Sequence, residues 1–369
     1  MKICFLGLDN LPVLAREYNH HGIGGEQVQH TLLARALTQR GHQVSMVVYD
    51  YGQADGQVWD QITTYKAYRA DAGLPVLRFI WPRWSGVWAA LKRADADLYY
   101  VSCAGMHLGL VAMFCRRYGR KVVFKIAHDT DCDPNNLLVK YERDKKLYAW
   151  GLRHAHGILA QSEQQQRLML ANYGLPSTVT EMIVDTPGMP CQRSVDVLWV
   201  NNLRQFKRPD LLLEIARRMP QYQFAMIGGE QPGSAQLYQE IAQQAASVPN
   251  LRFLGRVPYH DMDQHYAGAR VFINTSDSEG FPNSYLQAWI RGTPVVAFFD
   301  PDGVIAKEGL GRVPGSMEQM QAQLQALLED DHAWLETSLR CKAYMQRMYN
   351  DDRILAPYLA LFNQPGRPE

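Results

Sequence analysis

Two doubly wound α/β domains in one chain are what this sequence predicts, and three observations predict them. Short apolar runs alternate with amphipathic stretches at helical spacing, which implies parallel strands joined by crossover helices. The alternation breaks near residue 184 in TPGMPCQRS, which has two prolines, a glycine and few apolar residues and reads as a linker. It then restarts. At 369 residues the chain is long for one core and suits two domains of ordinary size.

In the first half, Ile3 to Leu8 reads as a strand. The opening MKICFLGL is too short an apolar run for a secretory signal. A Gly-rich turn, Gly22-Ile-Gly-Gly25, precedes QVQHTLLARALTQRG, whose apolar residues recur at helical spacing up to Gly41. GHQVSMVVYDY, LPVLRFIW, ADLYYVSCA, RKVVFKIAH and HGILAQS are the next strand candidates. After the linker come VDVLWVNN and a helix from Arg208 to Met219, with Pro209 suited to its first turn. YQFAMIGG, NLRFLGRV, ARVFINTS and TPVVAFF complete the second sheet. The tail from His332 to Phe362 is helical in composition, and its residues alone read as a single terminal helix packing on its own domain.

Composition narrows the class. Hydrophobic residues make up 47% and charged residues 20%, normal for a globular chain and against long disorder. A net charge of +1 excludes the global basic field that grips nucleic acid, while leaving room for a local anion site. The six cysteines, at 4, 103, 115, 132, 191 and 341, form no C-x-x-C pair and no zinc spacing. They read as mostly buried thiols in a reducing compartment. No apolar run reaches the roughly 18 residues that would span a membrane.

In open parallel sheets, ligands sit beyond the carboxyl ends of the strands, so the residues just after each strand carry the most information. After VFINTS comes Asp277-Ser-Glu-Gly-Phe-Pro-Asn-Ser-Tyr-Leu-Gln-Ala-Trp289. Ser284 onward can supply helix N-terminal N–H groups, which suit a phosphate. Glu279 can accept hydrogen bonds from hydroxyls, or it can simply cap the helix. After LWV, the run NNLRQFKRPD places Arg204, Lys207 and Arg208 beyond a strand ending at about Asn202. These cations serve either an anion or a solvated face.

The stretch EGFPNSYLQAWIRGTPVV, Glu279 to Val296, resembles the E-x7-E motif and the following G-x-P-V-V strand of the family 4 retaining glycosyltransferases. The resemblance runs from the Gly24-Gly25 loop to the terminal helix. It implies the GT-B fold: two Rossmann-like domains, 1–185 for acceptor and 186–344 for donor, facing across a donor-binding cleft. It also implies that a terminal helix, about 345–369, returns to the N-terminal domain. Within the motif Glu279, Gly280, Phe281, Pro282, Asn283 and Ser284 are the implied donor contacts. The second acid is replaced by Gln287, at the position that in the family binds the ribose hydroxyls. An amide can still accept one hydroxyl proton and donate to another oxygen, at a loss of about 1 kcal/mol of charge-assisted strength.

The same resemblance reads NNLRQFK as the family's V-G-R-L-x-x-x-K, whose Arg and Lys neutralise the donor diphosphate. Lys207 matches directly. Asn202 occupies the usual Arg position, and Arg204, two residues on, takes the role. His128 in FKIAHDTDCDPN matches a His presented to the donor sugar or phosphate. Gly24 and Gly25 match a loop near the donor phosphate, where glycine allows close backbone approach. Gly255 and Val257, in FLGRV, match the strand end that holds the nucleobase. Asp129-Thr-Asp131 looks like the D-x-D metal motif of the other glycosyltransferase fold, but the doubly wound pattern argues against that reading. No metal and no cofactor are expected.

The implied activity is transfer of a sugar from a nucleoside diphosphate sugar, UDP favoured, to a hydroxyl acceptor with retention. The implied partners are that donor and a saccharide or lipid-linked acceptor, with no nucleic acid. The aromatic-basic stretches Phe79-Ile-Trp-Pro-Arg-Trp84 and Arg116-Arg-Tyr-Gly-Arg-Lys121 add a contact with lipid as a second expectation, on a protein otherwise placed in the cytoplasm. Two rivals stand beside this reading. A GT-B-fold epimerase would convert donor without acceptor. A non-catalytic sugar-nucleotide binder is suggested by Gln287 and Asn202.

Overall fold

The computed structural model describes residues 1–19, 23–74, 77–185, 188, 192–231, 233–349 and 351–364. Gly22, much of the linker and Cys191 lie outside these. The chain divides into two compact units, Met1–Ile183 with Asp351–Glu369, and Val184–Asn350.

The first unit is built on an eight-stranded sheet. Its strands are β1 (Lys2–Leu6), β2 (Gln43–Val48), β3 (Val58–Trp59), β4 (Ile62–Lys66), β5 (Leu98–Ser102), β6 (Lys121–Lys125), β7 (Gly157–Ala160) and β8 (Thr178–Val179). Their order is β3-β4-β2-β1-β5-β6-β7-β8, parallel except for the β3–β4 hairpin. The central strands are buried on both faces, so they read as continuous apolar runs. Helices Gly25–Gln39, Ser85–Ala94, Met106–Tyr118, Glu142–His154 and Glu163–Tyr173 supply the crossovers.

One sequence expectation fails here. LPVLRFIW is not a strand: among its described residues, Leu77–Phe79 forms a tight helical turn and Ile80–Trp84 a wide one interrupted by the extended Trp81. Pro82 removes a ladder donor, which explains the failure. The strand in this part of the sheet is instead β4, paired with β2. It is entered through a two-residue hairpin turn in which Asp60 and Gln61 both have positive φ. That turn lacks the usual Asn-Gly signal.

The second unit carries β9 (Val195–Val200), β10 (Phe224–Ile227), β11 (Leu251–Phe253), β12 (Ala269–Asn274), β13 (Val295–Ala297) and β14 (Gly311–Arg312). Their order is β11-β10-β9-β12-β13-β14, and every pairing is parallel. The order reverses between β9 and β12, the place where doubly wound sheets open a crevice. Helix Pro209–Arg218 shows why the layers hold. Leu212, Leu213, Ile215 and Ala216 all face the core that contains Trp199, Met226 and Ile273. Each of the large side chains contributes about 1.5–3 kcal/mol on burial.

The tail is two helices rather than one, Asp331–Met348 and Asp351–Asn363. The first belongs to the second unit: its Tyr344 meets Trp289 edge-on at 5.8 Å. The second belongs to the first unit and starts at 351, later than the 345 expected. There the β6 lysines hold it. Lys121 Nζ donates to the carbonyls of Phe362 (3.1 Å) and Gln364 (2.6 Å), and Tyr358 OH donates to Glu181 O (3.2 Å). Among the described residues, no helix is long and apolar enough to cross a membrane.

Candidate functional site

The second unit gathers its polar residues at the switch point. β9 and β12 are parallel neighbours, so the loops that leave their carboxyl ends emerge side by side. The loops are then tied together. Asp277 N–H donates to Phe206 O at 2.9 Å, and Trp199 Nε1 donates to Thr275 Oγ1 at 3.0 Å. Thr275 Oγ1 in turn lies 2.9 Å from Lys207 O and 2.8 Å from Arg208 O. Arg208 makes the bend in the left-handed region (φ 49°) that launches helix Pro209–Arg218, and its guanidinium pairs with Asp210 and Asp277.

This brings Lys207 and Glu279 into contact. Lys207 Nζ donates to Glu279 Oε2, and the two side chains are only 13% and 8% exposed. Glu279 Oε1 accepts from Asn274 Nδ2 at 3.2 Å and lies 2.7 Å from the Ser276 hydroxyl. Burial pulls the Lys207 ammonium below the usual lysine range. Glu279 opposes that shift, and the positive charge of Arg204 adds to it. Arg204 itself is exposed, one turn before Lys207.

Helix Asn283–Ile290 starts directly after this acid, with Pro282 as its N-cap and no side chain capping it. Gly280, Phe281, Asn283 and Ser284 are all partly exposed at its start. Tyr285, Leu286, Ala288 and Trp289 anchor its other face, with Tyr285 OH donating to Phe299 O at 2.9 Å. Phe281 meets Trp289 edge-on at 6.4 Å.

Gln287 lies on the same helix, and the structure gives it a partner. Arg291 Nη1 donates to Gln287 Oε1 and to Gln287 O, both at 2.8 Å. Arg291 is also paired with Asp263. The Gln287 acceptor is therefore engaged by Arg291, and its NH2 remains as a donor.

The remaining strand ends in the unit converge on the same edge. Gly228 N–H donates to Gly255 O at 2.9 Å, and Leu203 N–H donates to Gly229 O at 3.1 Å. A Cβ on Gly228 would sit 2.5 Å from Asn201 O, so this crossing needs glycine. Gly255 takes φ +62° beside Tyr238, with Val257 partly exposed two residues on. Asn202 is partly exposed at the end of β9. Asn201 Nδ2 is buried and makes no hydrogen bond among the described residues, a donor the fold itself does not satisfy. Asn201, Asn274, Ser276 and the Gly228-Gly229 pair were not singled out from the sequence. Their only signal was polar or glycine identity immediately after a strand.

His128, Gly24 and Gly25 belong to the first unit. His128 follows β6 and caps the tight turn Asp129–Cys132, its Nδ1 accepting from Thr130 N–H at 3.2 Å. Asp131 is buried and accepts from the N–H groups of Ala127 (2.9 Å) and His128 (3.1 Å). Asp129 accepts from Gln165 Nε2 at 3.0 Å. Asp131 thus serves the loop's own hydrogen bonds, and Asp129 ties the loop to helix Glu163–Tyr173. Gly24 N–H donates to Gln27 Oε1 at 2.8 Å at the start of helix Gly25–Gln39. In the first turn of that helix the Glu26 carboxyl is pushed up to about 8, chiefly by burial, with Asp9 and Asp131 adding to it.

Two doubly wound units, the second ordered 3-2-1-4-5-6 with an ion pair and a helix start at its switch point, define the GT-B class of enzyme folds. The comparisons agree. The family model for glycosyl transferases group 1 matches residues 194–330, and that for the glycosyl transferase 4-like domain matches residues 24–184. The chain belongs to the group 1 glycosyl transferases of the family-4-like type.

Among curated proteins, it is 30% identical over 145 residues to the O-antigen biosynthesis glycosyltransferase WbnH of Escherichia coli, covering 37% of this chain and 39% of that protein. It is 28% identical over 172 residues to a D-inositol 3-phosphate glycosyltransferase of Geodermatophilus obscurus, covering 39% of this chain and 38% of that one. The chain thus matches about two fifths of the length of these relatives. Among solved structures, Anabaena HepE, determined with UDP and glucose, superposes with a TM-score of 0.75 at 18% identity, covering 98% of this chain and 99% of that one. Sucrose-phosphate synthase of Thermosynechococcus elongatus superposes with a TM-score of 0.74 at 16% identity, covering 98% of each chain. At these identities the likeness is one of fold.

Proposed function

We propose that the protein transfers a sugar from a nucleoside diphosphate sugar to a hydroxyl of a saccharide or lipid-linked acceptor, with retention at the anomeric carbon. The observation that carries this reading is the buried Lys207–Glu279 pair directly before the start of helix Asn283–Ile290. An ammonium has three N–H donors. One is given to Glu279, and two remain for the oxygens of a diphosphate. Backbone N–H groups at Asn283 and Ser284 add donors for the same anion. Glu279 uses its remaining lone pairs for sugar hydroxyls, held in orientation by Asn274 and Ser276.

The chemistry follows from that charge distribution. Negative charge builds on the departing diphosphate as the anomeric C–O bond breaks, and Lys207 with Arg204 meets it where it develops. The acceptor oxygen bonds to the anomeric carbon on the face the diphosphate leaves. Its proton passes to the departing phosphate oxygen. No protein nucleophile is required. UDP is the favoured nucleotide; HepE, a protein of the same fold, was solved with UDP and glucose. Polysaccharide biosynthesis is the favoured setting, since WbnH is described as an O-antigen biosynthesis glycosyltransferase.

The test is calorimetric titration with UDP, GDP and ADP, with Lys207→Ala alongside. Binding of one nucleotide that the substitution weakens supports the reading, and a donor-hydrolysis screen then separates an enzyme from a silent binder. Failure of folded protein to bind any of the three overturns it.

A further inference from the structure

The first unit carries a second surface that the transferase reading leaves unused. Leu74, Leu77, Ile80 and Trp81 stand on one loop, and Leu138 and Tyr141 on another, each between 52% and 69% exposed. Single exposed apolar residues are ordinary, but a cluster of this size marks an interaction surface. The two loops are joined: the Arg143 guanidinium lies 3.4 Å from the Phe79 ring centroid. Phe79, Trp84, Leu137 and Leu147 all pack on the same core. Beside them a groove of about 530 Å³ is lined by Met113, Leu147 and Trp150 together with Arg143 and Lys146.

Charge selects among occupants. Residues 74–84 hold Arg78 and Arg83 and no acid. Residues 137–147 hold four cations against Glu142 and Asp144. The other basic stretch noted in the sequence is largely spent inside the fold. Arg120 pairs with Asp95 and Asp97, and Lys121 holds the terminal helix. Exposed Trp, Tyr, Leu and Ile flanked by Lys and Arg suit the interface of an anionic bilayer. There the ring and alkyl groups reach the acyl boundary, and the cations meet headgroups.

We propose that this face docks the protein on the headgroup region of an anionic membrane. Apolar insertion and basic attraction act together, because neither signal alone gives stable attachment. The proposal does not depend on the transferase reading, and its test needs no catalysis. The full chain is floated with vesicles of phosphatidylcholine plus phosphatidylglycerol, and with phosphatidylcholine alone, at low and high salt. The expected result is flotation with the anionic vesicles at low salt, much reduced on neutral vesicles and by salt.

Ile80→Asp with Trp81→Asp should lower the bound fraction at least about tenfold. Lys140→Glu with Lys146→Glu should lower it by about fivefold or more per charge. All four positions are exposed, so both variants should keep the wild-type circular dichroism and nucleotide affinity. Three results would overturn the proposal. One is no flotation of the wild-type chain at low salt. Another is flotation that neither variant changes. The last is self-association abolished by Trp81→Asp without vesicle binding, which would make the face an interface between copies.

Discussion

Lys207 and Glu279, 72 residues apart in sequence, form an ion pair almost closed to solvent at the point where the second sheet reverses its strand order. Removing one member leaves the other buried and uncompensated, which typically costs about 3–5 kcal/mol. Lys207→Ala should therefore destabilise the second unit on that scale and depress turnover by about 10²-fold or more. Glu279→Gln should cost stability on the same scale, because the amide oxygen still accepts from Asn274 and Ser276 but no anion is left opposite the buried Lys207 ammonium. Denaturant unfolding and single-turnover kinetics on the two variants and their combination would check the coupling.

Arg204 offers the complementary case. Its side chain is exposed beside Lys207, so Arg204→Ala should shift stability by less than about 0.5 kcal/mol. Nucleotide affinity should nevertheless fall. Calorimetry on a variant with an unchanged melting temperature would separate ligand contact from folding.

Gln287 presents a carbonyl oxygen to Arg291 one turn on. Gln287→Glu should strengthen that contact by at least about 0.3–0.5 kcal/mol, the value of a fully exposed pair at this spacing, because the Arg291 side chain is buried. If the position meets the ribose, the same change should alter affinity for the nucleotide. An unchanged binding isotherm would sink the ribose role and leave a helix-stabilising one.

Lys125 gives a pH prediction. Its buried Nζ donates to the carbonyls of Ala160 and Thr180, both at 3.2 Å, and burial pulls its ammonium down to about 7. The folded state therefore binds fewer protons than the unfolded chain between about 7 and the ordinary lysine value, and stability rises with pH across that window. The stability of the wild type minus that of Lys125→Met should climb by up to about 1.4 kcal/mol per pH unit there and be flat below it. Urea titrations of both proteins at pH values through this range would show the slope or its absence. Taking the difference cancels the buried cysteines, which titrate higher.

Most of the architecture was legible because buried parallel strands announce themselves as apolar runs. β1, β2, β5, β6 and β7 all fell where the sequence placed them, as did the strands from β9 to β13. The failures have local causes. Pro82 sits in an apolar run that no strand could use, and β4 reads ITTYK, whose alternation is too weak to stand out. The break between the two last helices falls where no proline or glycine marks it. In the site, Lys207 and Glu279 were readable as residues, but their contact was not. It arises from the adjacency of β9 and β12, a long-range property. Asn274 and Ser276 were missed for the same reason, since their polarity has meaning only once Glu279 turns back toward them.

The helix Asp351–Asn363 gives the protein a particular schedule during synthesis. Tyr358, Phe362 and Gln364 complete the surroundings of Lys121 and Lys125, two residues that emerge from the ribosome more than two hundred positions earlier. Until then β6 presents an unfinished wall, while the whole second unit is made and can fold. The first domain to begin is thus the last to close, and a stalled or clipped chain would hold a finished second unit beside an open first one.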